Sequence, residues 1–473
     1  MDAARERIAL CMIVRDEEDC LGRCLASARD AVGEVVVVDT GSHDRTPEIA
    51  ASFGARVIPF AWCDDFAAAR NASLEAATRP WALVLDADEE LVVEEPSSLA
   101  RAVLDEARAG WSLPLRNLLD GGRFTDYRVF RMFRRDLPGM RYRGALHEQI
   151  VAVAEERVAT GQLAGARILH HGYTAERAAR KDKGARNLRL AHALVASRPD
   201  DPFAWFALGR EQAAPEERIA SYRRALERFA ASGRSGEHED YVLHLHVDLC
   251  KALRLRGDDA GAEQIVERGI ALFPRSPDLR FLRGQMLLSR RDAAGAADDL
   301  VRCVPTDGDP FPVVVSPEVV AHEGRTLLAV ALAHLGRRAE AIAHLAQAAR
   351  EAPPDDTTAL RLLGMLRLEE GQAAAAVEAL RQAIERAPDD DALRRLLHRS
   401  ILALLARSPS EGRATLEAWQ AGSPSLAEPC YWLGHAALEG GDVAGAARWW
   451  REAVVREPGH ALAAEGLRLL AGG

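Results

Sequence analysis

Apolar and polar positions alternate in two different ways along the chain, and the change comes near residue 178. Before it, short β-rich runs alternate with helical stretches, which predicts strands at Ile8–Val14, Glu34–Asp39 and Trp81–Asp86 and helices around 18–29, 46–53 and 97–109. The unbroken aliphatic run 35–38 is typical of a central strand in a parallel sheet, which is buried on both faces. The pattern predicts an open α/β sheet, in which ligands bind beyond the carboxyl ends of the strands.

Helical repeats replace the strand pattern after residue 178. The pairs Gly364/Gly434, Gly371/Gly441 and Pro388/Pro458 each lie 70 positions apart, and half of that spacing is close to the TPR period of about 34 residues. Small residues are needed where paired helices approach closely, and proline suits the first turn of a helix. We predict the first helices of successive repeats at 203–211, 243–256, 279–289, 326–335, 359–370 and 430–439, with an irregular insertion at 306–317.

The composition excludes several classes of protein. A length of 473 residues favours two or three domains. A formal net charge of -10 argues against a nucleic-acid-binding surface, and the seven cysteines are odd in number and contain no CxxC pair, which argues against a disulfide framework or a zinc site. The apolar run Ile8–Val14 is too short for a membrane span and wrongly flanked for a signal peptide. We therefore expect a cytoplasmic protein without a membrane span.

Acidic residues follow two of the predicted strands. Asp39 ends the second strand, where its carboxylate could accept hydrogen bonds from a base or a ribose. Asp86 and Asp88 form a D-x-D motif after the strand that begins at Trp81, and hard oxygen ligands of this kind suit Mg²⁺ or Mn²⁺ bridging a nucleotide diphosphate. Acidic residues also end strands of α/β folds without any such role, so neither motif is specific by itself.

Four phrases, at residues 10–18, 36–46, 62–71 and 85–89, together resemble the inverting glycosyltransferases of family 2, which have the GT-A fold. The resemblance is greatest to the subgroup with a TPR tail, which includes the sublancin-type peptide S-glycosyltransferases. It implies that Val14 and Glu17 lie near the uridine, that Asp39 contacts the base or ribose, that Arg70 and Asp86 line the nucleotide pocket, and that Asp88 holds Mn²⁺ or Mg²⁺. Asp16 stands where the family more often has asparagine.

Two further segments resemble parts of the same family. Residues 128–148 resemble the acceptor-side segment that ends in His-Glu, and an inverting transfer needs a base opposite the leaving nucleotide. We predict Glu148 as that base, with His147 as the alternative base or a positioning residue. Within this segment, Arg131, Arg134 and Arg135 could face the diphosphate, but we predict a solvated strand edge. His170 matches a family histidine and could complete the metal site or have a structural role.

We therefore predict an α/β GT-A domain at residues 1–177, a connecting helix at 178–197 and an all-α TPR-like solenoid at 198–473. The predicted function is inverting, metal-dependent transfer from a UDP-sugar to a peptide or protein that the repeats engage. Lipopolysaccharide, lipid or polysaccharide acceptors are the first alternative, and a non-catalytic interaction scaffold is the second. Because TPR arrays often self-associate, a homodimer is also compatible with the sequence.

Overall fold

The computed structural model describes residues 2–118, 124–146, 148–151, 159–171, 183–233, 240–305, 315–316 and 318–472. The chain divides into two compact units. The first comprises residues 1–286 with 305–317, and the second comprises residues 287–304 with 318–473. Most of the predicted insertion at 306–317 lies outside the described residues.

A mixed sheet forms the core of the N-terminal part of the first unit. Its strand order is β3-β2-β1-β4-β7-β6-β11-β5, β10 pairs with β6, and β8 and β9 form a separate ribbon. The strands are β1 Ile8–Val14, β2 Glu34–Asp39, β3 Arg56–Pro59, β4 Trp81–Val84, β5 Glu89–Val93, β6 Gly110–Leu118, β7 Phe124–Arg134, β8 Arg141–Arg143, β9 Gln149–Val151, β10 Thr160–Gln162 and β11 Ala166–His170. The predicted α/β sheet is confirmed, although β7 and β5 run antiparallel to their neighbours.

The described residues of this α/β part form the helices α1 Asp2–Arg5, α2 Leu21–Ala28, α3 Thr46–Ser52, α4 Phe66–Ala76 and α5 Pro96–Leu104. Strand β1 is buried on both faces, as predicted for an unbroken aliphatic run. Leu10 and Met12 belong to one apolar cluster, whereas Ala9 and Cys11 belong to the cluster on the other face. Because β2 and β4 lie on opposite sides of β1, the chain changes direction there, and a crevice opens at the carboxyl end of β1.

Helices make up the rest of the described chain. Those that begin in the first unit are α6 Lys183–Ser197, α7 Pro202–Glu211, α8 Pro215–Ala231, α9 Asp240–Leu255, α10 Asp259–Leu272 and α11 Pro277–Ser289. Beyond them lie α12 Ala293–Leu300, α13 Gly324–His334, α14 Arg338–Glu351, α15 Thr358–Glu369, α16 Ala373–Arg386, α17 Asp391–Arg407, α18 Pro409–Gly422, α19 Glu428–Glu439, α20 Val443–Arg456 and α21 Ala461–Gly472. Short turns of 3₁₀ and π type occur at Val301–Cys303 and Val319–Glu323. All six predicted first helices are present, each bound lying within three residues of its prediction.

Glycine and aspartate fix the turns inside the helix pairs. Gly371 and Gly441, which lie 70 positions apart, both have a positive φ, the region in which a residue without Cβ is least strained. In α20 the carboxylate of Asp442 accepts a hydrogen bond from the amide of Gly445 at 2.8 Å and so caps the helix. Among the helices of the described residues, none combines the length and the apolar composition that a bilayer crossing requires.

Gly364 and Gly434 lie where two paired helices approach each other closely. A Cβ on Gly364 would lie 2.5 Å from Cγ of Leu380, and one on Gly434 would lie 2.4 Å from Cδ1 of Trp450. We expect Gly364→Ala to lower the free energy of unfolding of the second unit by about 1–2 kcal/mol, because overpacking outweighs the better helix propensity of alanine. Urea-induced unfolding followed by circular dichroism measures this difference.

Gly422→Ala is the matched control, because Gly422 is also helical and a Cβ there would meet no atom within 4 Å. This variant should be as stable as the unaltered protein or slightly more stable. Equal stability of Gly364→Ala and Gly422→Ala would contradict the role assigned to the glycine at the helix contact.

Candidate active site

A cavity of about 350 Å³ lies at the carboxyl ends of β1, β2 and β4. Its wall consists of residues from the strand ends and the loops that follow them, together with one residue of α6: Ile13, Val14, Arg15, Glu17, Thr40, Trp62, Phe66, Asp86, Ala87, Asp88, His170 and Arg186. The cavity therefore occupies the position that the strand order assigns to a ligand in an open α/β sheet.

The loops after β1 and β2 are joined by hydrogen bonds. Asp16 has a φ of 52°, its amide donates to Oγ of Ser42 at 3.0 Å, and its Oδ1 accepts from the amide of His43 at 2.7 Å. The amide of Glu17 donates to Oγ1 of Thr46 at 2.7 Å. An asparagine at position 16 could accept the same bond from His43 through its carbonyl oxygen. The departure from the family pattern at Asp16 thus preserves this loop contact.

Asp39 is held by its own loop. Its Oδ1 accepts a hydrogen bond from Oγ of Ser42 at 2.5 Å and another from the Ser42 amide at 3.2 Å. The neighbouring Thr40 lines the cavity, and its hydroxyl donates to the carbonyl oxygen of Val14 at 3.1 Å. The carboxylate of Asp39 is therefore fixed at the strand end beside the cavity wall.

Two arginines and three carboxylates form a largely buried ion network behind the D-x-D motif, in which the side chain of Asp86 remains 37% exposed toward the cavity. Arg70 donates to Asp86 at 2.6 Å and to Glu148 at 2.9 Å. Arg131 donates to the other oxygen of Asp86 at 3.0 Å and to Glu89 at 2.8 Å. Glu89 also accepts a hydrogen bond from the amide of Asp86 at 2.8 Å. Both oxygens of Asp86 are thus taken by guanidinium groups.

The network separates the pKa values of its two central acids. Burial alone would raise the pKa of Asp86, but Arg131 and Arg70 hold it well below its usual range. Glu89 is almost completely buried, and desolvation raises its pKa to about 6 despite the nearby Arg131. Asp86 is therefore ionised at neutral pH and serves as the permanent counter-ion of both arginines.

The prediction of a solvated strand edge is wrong for Arg131. In the pairing of β6 with β7, Trp111 lies opposite Met132 and Ser112 lies opposite Phe130, so Arg131 is the extra residue of a β-bulge. A bulge redirects a side chain that regular alternation would place elsewhere. Arg134 follows the prediction more closely, because it pairs with the exposed Asp136 at 3.1 Å.

Asp88 and His170 are the two cavity residues suited to a divalent cation. Nε2 of His170 lies 3.5 Å from Oδ1 of Asp88, and Nδ1 of His170 is 2.7 Å from Oδ1 of Asn117. Because the Asn117 oxygen can only accept, Nδ1 is the donor; Nε2 donates to Asp88 when the ring is protonated, and it offers a lone pair to a cation when the ring is neutral. Burial alone would lower the pKa of His170, but the bond to Asp88 and its charge raise it.

Among the described residues, no group of three or more His, Cys, Asp or Glu side chains could hold a metal ion by itself. A carboxylate and an imidazole nevertheless fit Mn²⁺ when the remaining ligands are waters and substrate phosphates, as is common for Mg²⁺ and Mn²⁺ at nucleotide sites. The donor set therefore fits a cation whose remaining ligands are waters and phosphate oxygens.

Helix α4, which begins within the 62–71 phrase, carries Arg70 of the ion network. Asp65 caps the helix by accepting from the amide of Ala68 at 3.0 Å. One turn further, Arg70 enters the ion network, and Asn71 exchanges two hydrogen bonds with the backbone of Tyr142, at 3.0 and 2.8 Å. The guanidinium of Arg70 also lies 5.6 Å from the centre of the Tyr142 ring. One helix thus positions the ion network against the β8–β9 ribbon.

An apolar wall joins the cavity to helix α6. The rings of Trp62 and Phe66 pack edge to face with centroids 4.8 Å apart, and both contact a cluster that includes Leu146 and Leu190. Nε1 of Trp62 donates to Asp64 at 2.8 Å, and Asp64 pairs with Arg189 of α6 at 2.7 Å. The first helix after the α/β part is therefore attached directly to the cavity wall.

The structure brings most of the predicted site residues together. Val14, Glu17, Asp86, Asp88 and His170 line the cavity. The predicted residues Arg70 and Glu148 lie directly behind it in the ion network. His147 lies outside the described residues.

Several residues of the site were not predicted from the sequence, among them Glu89, Trp62, Phe66 and Arg186. Glu89 lies within the 85–89 phrase, and Trp62 and Phe66 lie within the 62–71 phrase, but no role was predicted for any of the three. Arg186 lies on α6, in the predicted connecting helix and far from the motif phrases. No motif in the sequence marks it as a residue of the cavity.

Residues 9–138 match the family model of glycosyl transferase family 2. Residues 242–423 match the model of the N-terminal domain of the T7SS, ESX-1 secretion system protein EccA1. One solved structure, the C-terminal part of a TPR repeat-containing protein from Cytophaga hutchinsonii, covers 60% of this chain and 94% of its own, with 12% identity and a TM-score of 0.37.

Three curated relatives share parts of the sequence. A TPR repeat-containing protein of Synechococcus elongatus is 36% identical over 264 residues, covering 54% of this chain and 64% of the relative. The SPbeta prophage-derived glycosyltransferase SunS of Bacillus subtilis is 26% identical over 286 residues, covering 59% of this chain and 66% of SunS. The lipopolysaccharide core biosynthesis glycosyltransferase LpsC of Rhizobium meliloti is 30% identical over 151 residues, covering 30% of this chain and 55% of LpsC.

The alignments with the first two relatives cover just under two thirds of the length of each. The family match spans β1 to β7 and so includes the strand ends that form the cavity. The chain carries a glycosyl transferase family 2 domain in its N-terminal part, followed by helical repeats of the TPR type.

Proposed function

We propose that this protein is an inverting, metal-dependent glycosyltransferase that moves a sugar from a UDP-sugar to a peptide or protein in the cytoplasm. One observation carries the proposal: Asp86 and Asp88 follow a central strand and line a cavity at the carboxyl edge of a family 2 domain.

Different residues of the site bind the nucleoside, the metal ion and the D-x-D loop in this proposal. Val14, Glu17 and the Asp39–Thr40 turn hold the nucleoside at the β1 and β2 ends of the cavity. Asp88 and His170 would hold Mn²⁺ or Mg²⁺, which when bound would supply positive charge toward the diphosphate. The network of Asp86, Arg70 and Arg131 keeps the D-x-D loop in place.

Glu148 is the proposed base. Arg70 fixes one oxygen of its carboxylate at 2.9 Å, and the side chain is mostly buried. The second oxygen can then accept the proton of the acceptor nucleophile as that nucleophile attacks the anomeric carbon from the face opposite the nucleotide. His147, the adjacent residue, is the alternative base or a positioning group.

In this proposal the helical repeats bind the acceptor. Arrays of this kind present extended surfaces that bind peptides and proteins. A lipopolysaccharide acceptor is the second candidate, because the family 2 part also aligns with LpsC. Release of UDP from a panel of UDP-sugars, with peptide libraries in one series and lipopolysaccharide core in the other, separates the two.

Calorimetric titration with UDP, with and without Mn²⁺, tests the central claim. We expect Mn²⁺-dependent binding that is weakened at least about tenfold in Asp88→Ala, because a charged ligand contact of this kind contributes about 1.5–3 kcal/mol. Asp136→Ala is the matched control, since Asp136 is exposed and pairs with Arg134 away from the cavity. If the unaltered protein binds no UDP under either condition, the proposed function is wrong, and the interaction scaffold becomes the better account.

A further inference from the structure

The two arginines of the ion network cannot supply net positive charge to a donor. Arg70 and Arg131 are matched by three carboxylates, those of Asp86, Glu89 and Glu148. Asp88 adds a fourth negative charge at the cavity wall. A nucleotide diphosphate is itself strongly anionic, so a cavity with this balance needs cations from another source.

Arg186 is a cation of the cavity wall that has no carboxylate partner among the residues that the structure describes. It lines the same cavity as Asp88 and His170, and its guanidinium lies 5.3 Å from the centre of the Phe66 ring. Its side-chain bonds to described residues are two long ones to Oδ1 of the adjacent Asn187, at 3.3 and 3.4 Å. No described Asp or Glu lies within ion-pair distance of it.

The surroundings of Arg186 favour an anion. Desolvation lowers the pKa of its guanidinium, and the positive charges of Arg15 and Arg189 lower it further, against a smaller opposite effect of the carboxylate of Glu211. Arg15 lines the same cavity. A half-buried guanidinium near two other cations is stabilised when an anion enters the space that it faces.

Contacts on two faces of helix α6 fix the position of Arg186. On the polar side, Arg189 makes two bonds to Asp64, at 2.7 and 3.1 Å. On the apolar side, Leu190 is buried against Leu146 and the Trp62–Phe66 wall. Arg186 lies one helical turn before these contacts, so its backbone is fixed at the cavity edge.

We propose that Arg186 binds the diphosphate of the nucleotide donor, so that the first helix after the α/β part completes the donor pocket. This inference rests on the proposed function and adds a binding residue to the same site. The diphosphate is the one ligand group of that reaction that carries formal negative charge and gains more as the glycosidic bond to the nucleotide breaks. A planar guanidinium stacked on Phe66 can offer two parallel N–H donors to it.

Titration of the full chain with UDP and with uridine, both in the presence of Mn²⁺, tests the inference. Arg186→Gln should weaken UDP binding about tenfold or more and leave uridine binding unchanged, because only UDP carries the phosphates. Arg186→Lys should retain part of the affinity for UDP, because lysine keeps the positive charge but lacks the two parallel N–H donors of the guanidinium group. Arg198→Gln, which removes an exposed arginine just beyond α6, should bind both ligands like the unaltered protein.

The possible failures are distinguishable. Equal UDP binding by the unaltered protein and Arg186→Gln would overturn this inference alone. Parallel weakening of UDP and uridine would also overturn it, because that result indicates a change in the shape of the pocket. Absence of UDP binding in the unaltered protein would overturn the proposed function and this inference with it.

Discussion

Glu148→Gln should lower turnover by about 10²- to 10⁴-fold, which is the usual contribution of a positioned general base. Glutamine keeps an oxygen that can accept the hydrogen bond from Nε of Arg70, now made at 2.9 Å, but it cannot take up the acceptor proton. UDP binding should therefore change little while turnover falls. Initial rates of UDP release, measured with the substrate pair found by screening, give the first quantity, and calorimetry gives the second.

His147→Gln is the companion variant, because His147 is the alternative base. A large loss of turnover in His147→Gln with nearly full activity in Glu148→Gln would assign the base to His147 instead. Thermal unfolding of both variants must resemble that of the unaltered protein for the rates to be compared, since Glu148 also belongs to the buried network.

Arg131→Met should lower the free energy of unfolding by about 3–5 kcal/mol, the cost expected when one partner of a buried ion pair is removed. The methionine would fill the space of the side chain but leave Glu89, which is 1% exposed, and one oxygen of Asp86 without their cation. Because the D-x-D loop is anchored through Asp86, UDP binding should weaken as well. Guanidinium-induced unfolding measures the first effect and calorimetry the second.

Arg134→Gln is the matched control on the same strand. Arg134 pairs with an exposed aspartate, and exposed ion pairs contribute about 0–1 kcal/mol. A loss in Arg131→Met no larger than that in Arg134→Gln would contradict the assignment of Arg131 to a buried network that stabilises the fold.

The backbone of the site followed from local patterns. Aliphatic runs marked β1, β2 and the start of β4, and acidic residues placed immediately after those runs marked the ligand edge of the sheet. The helical repeats were equally readable, because their 70-residue offset reflects a packing requirement: Gly364 and Gly434 each face a large side chain of the paired helix. In both cases the order of residue types along the chain carries the information, without knowledge of the tertiary contacts.

The remainder of the site depends on contacts that local patterns do not encode. Arg131 reaches Asp86 because a bulge in β7 interrupts the alternation of faces, and a bulge depends on the pairing of two strands. The predicted strand at Trp81–Asp86 ends at Val84, because Asp86 turns toward the two arginines. Arg186 lies 98 positions after Asp88 in the sequence, and only tertiary packing of α6 brings it to the same cavity.

The attachment of α6 to Trp62 and Asp64 limits how proteins of this architecture can exchange parts during evolution. A recombination event at the end of the sheet would separate Arg189 from Asp64 and leave the Trp62–Phe66 wall without its partner helix. An event beyond residue 286, where the second compact unit begins, would preserve both contacts. Under the proposed function, the helices up to residue 286 would have to be exchanged together with the donor pocket, whereas the helices beyond it could be exchanged without loss of either contact.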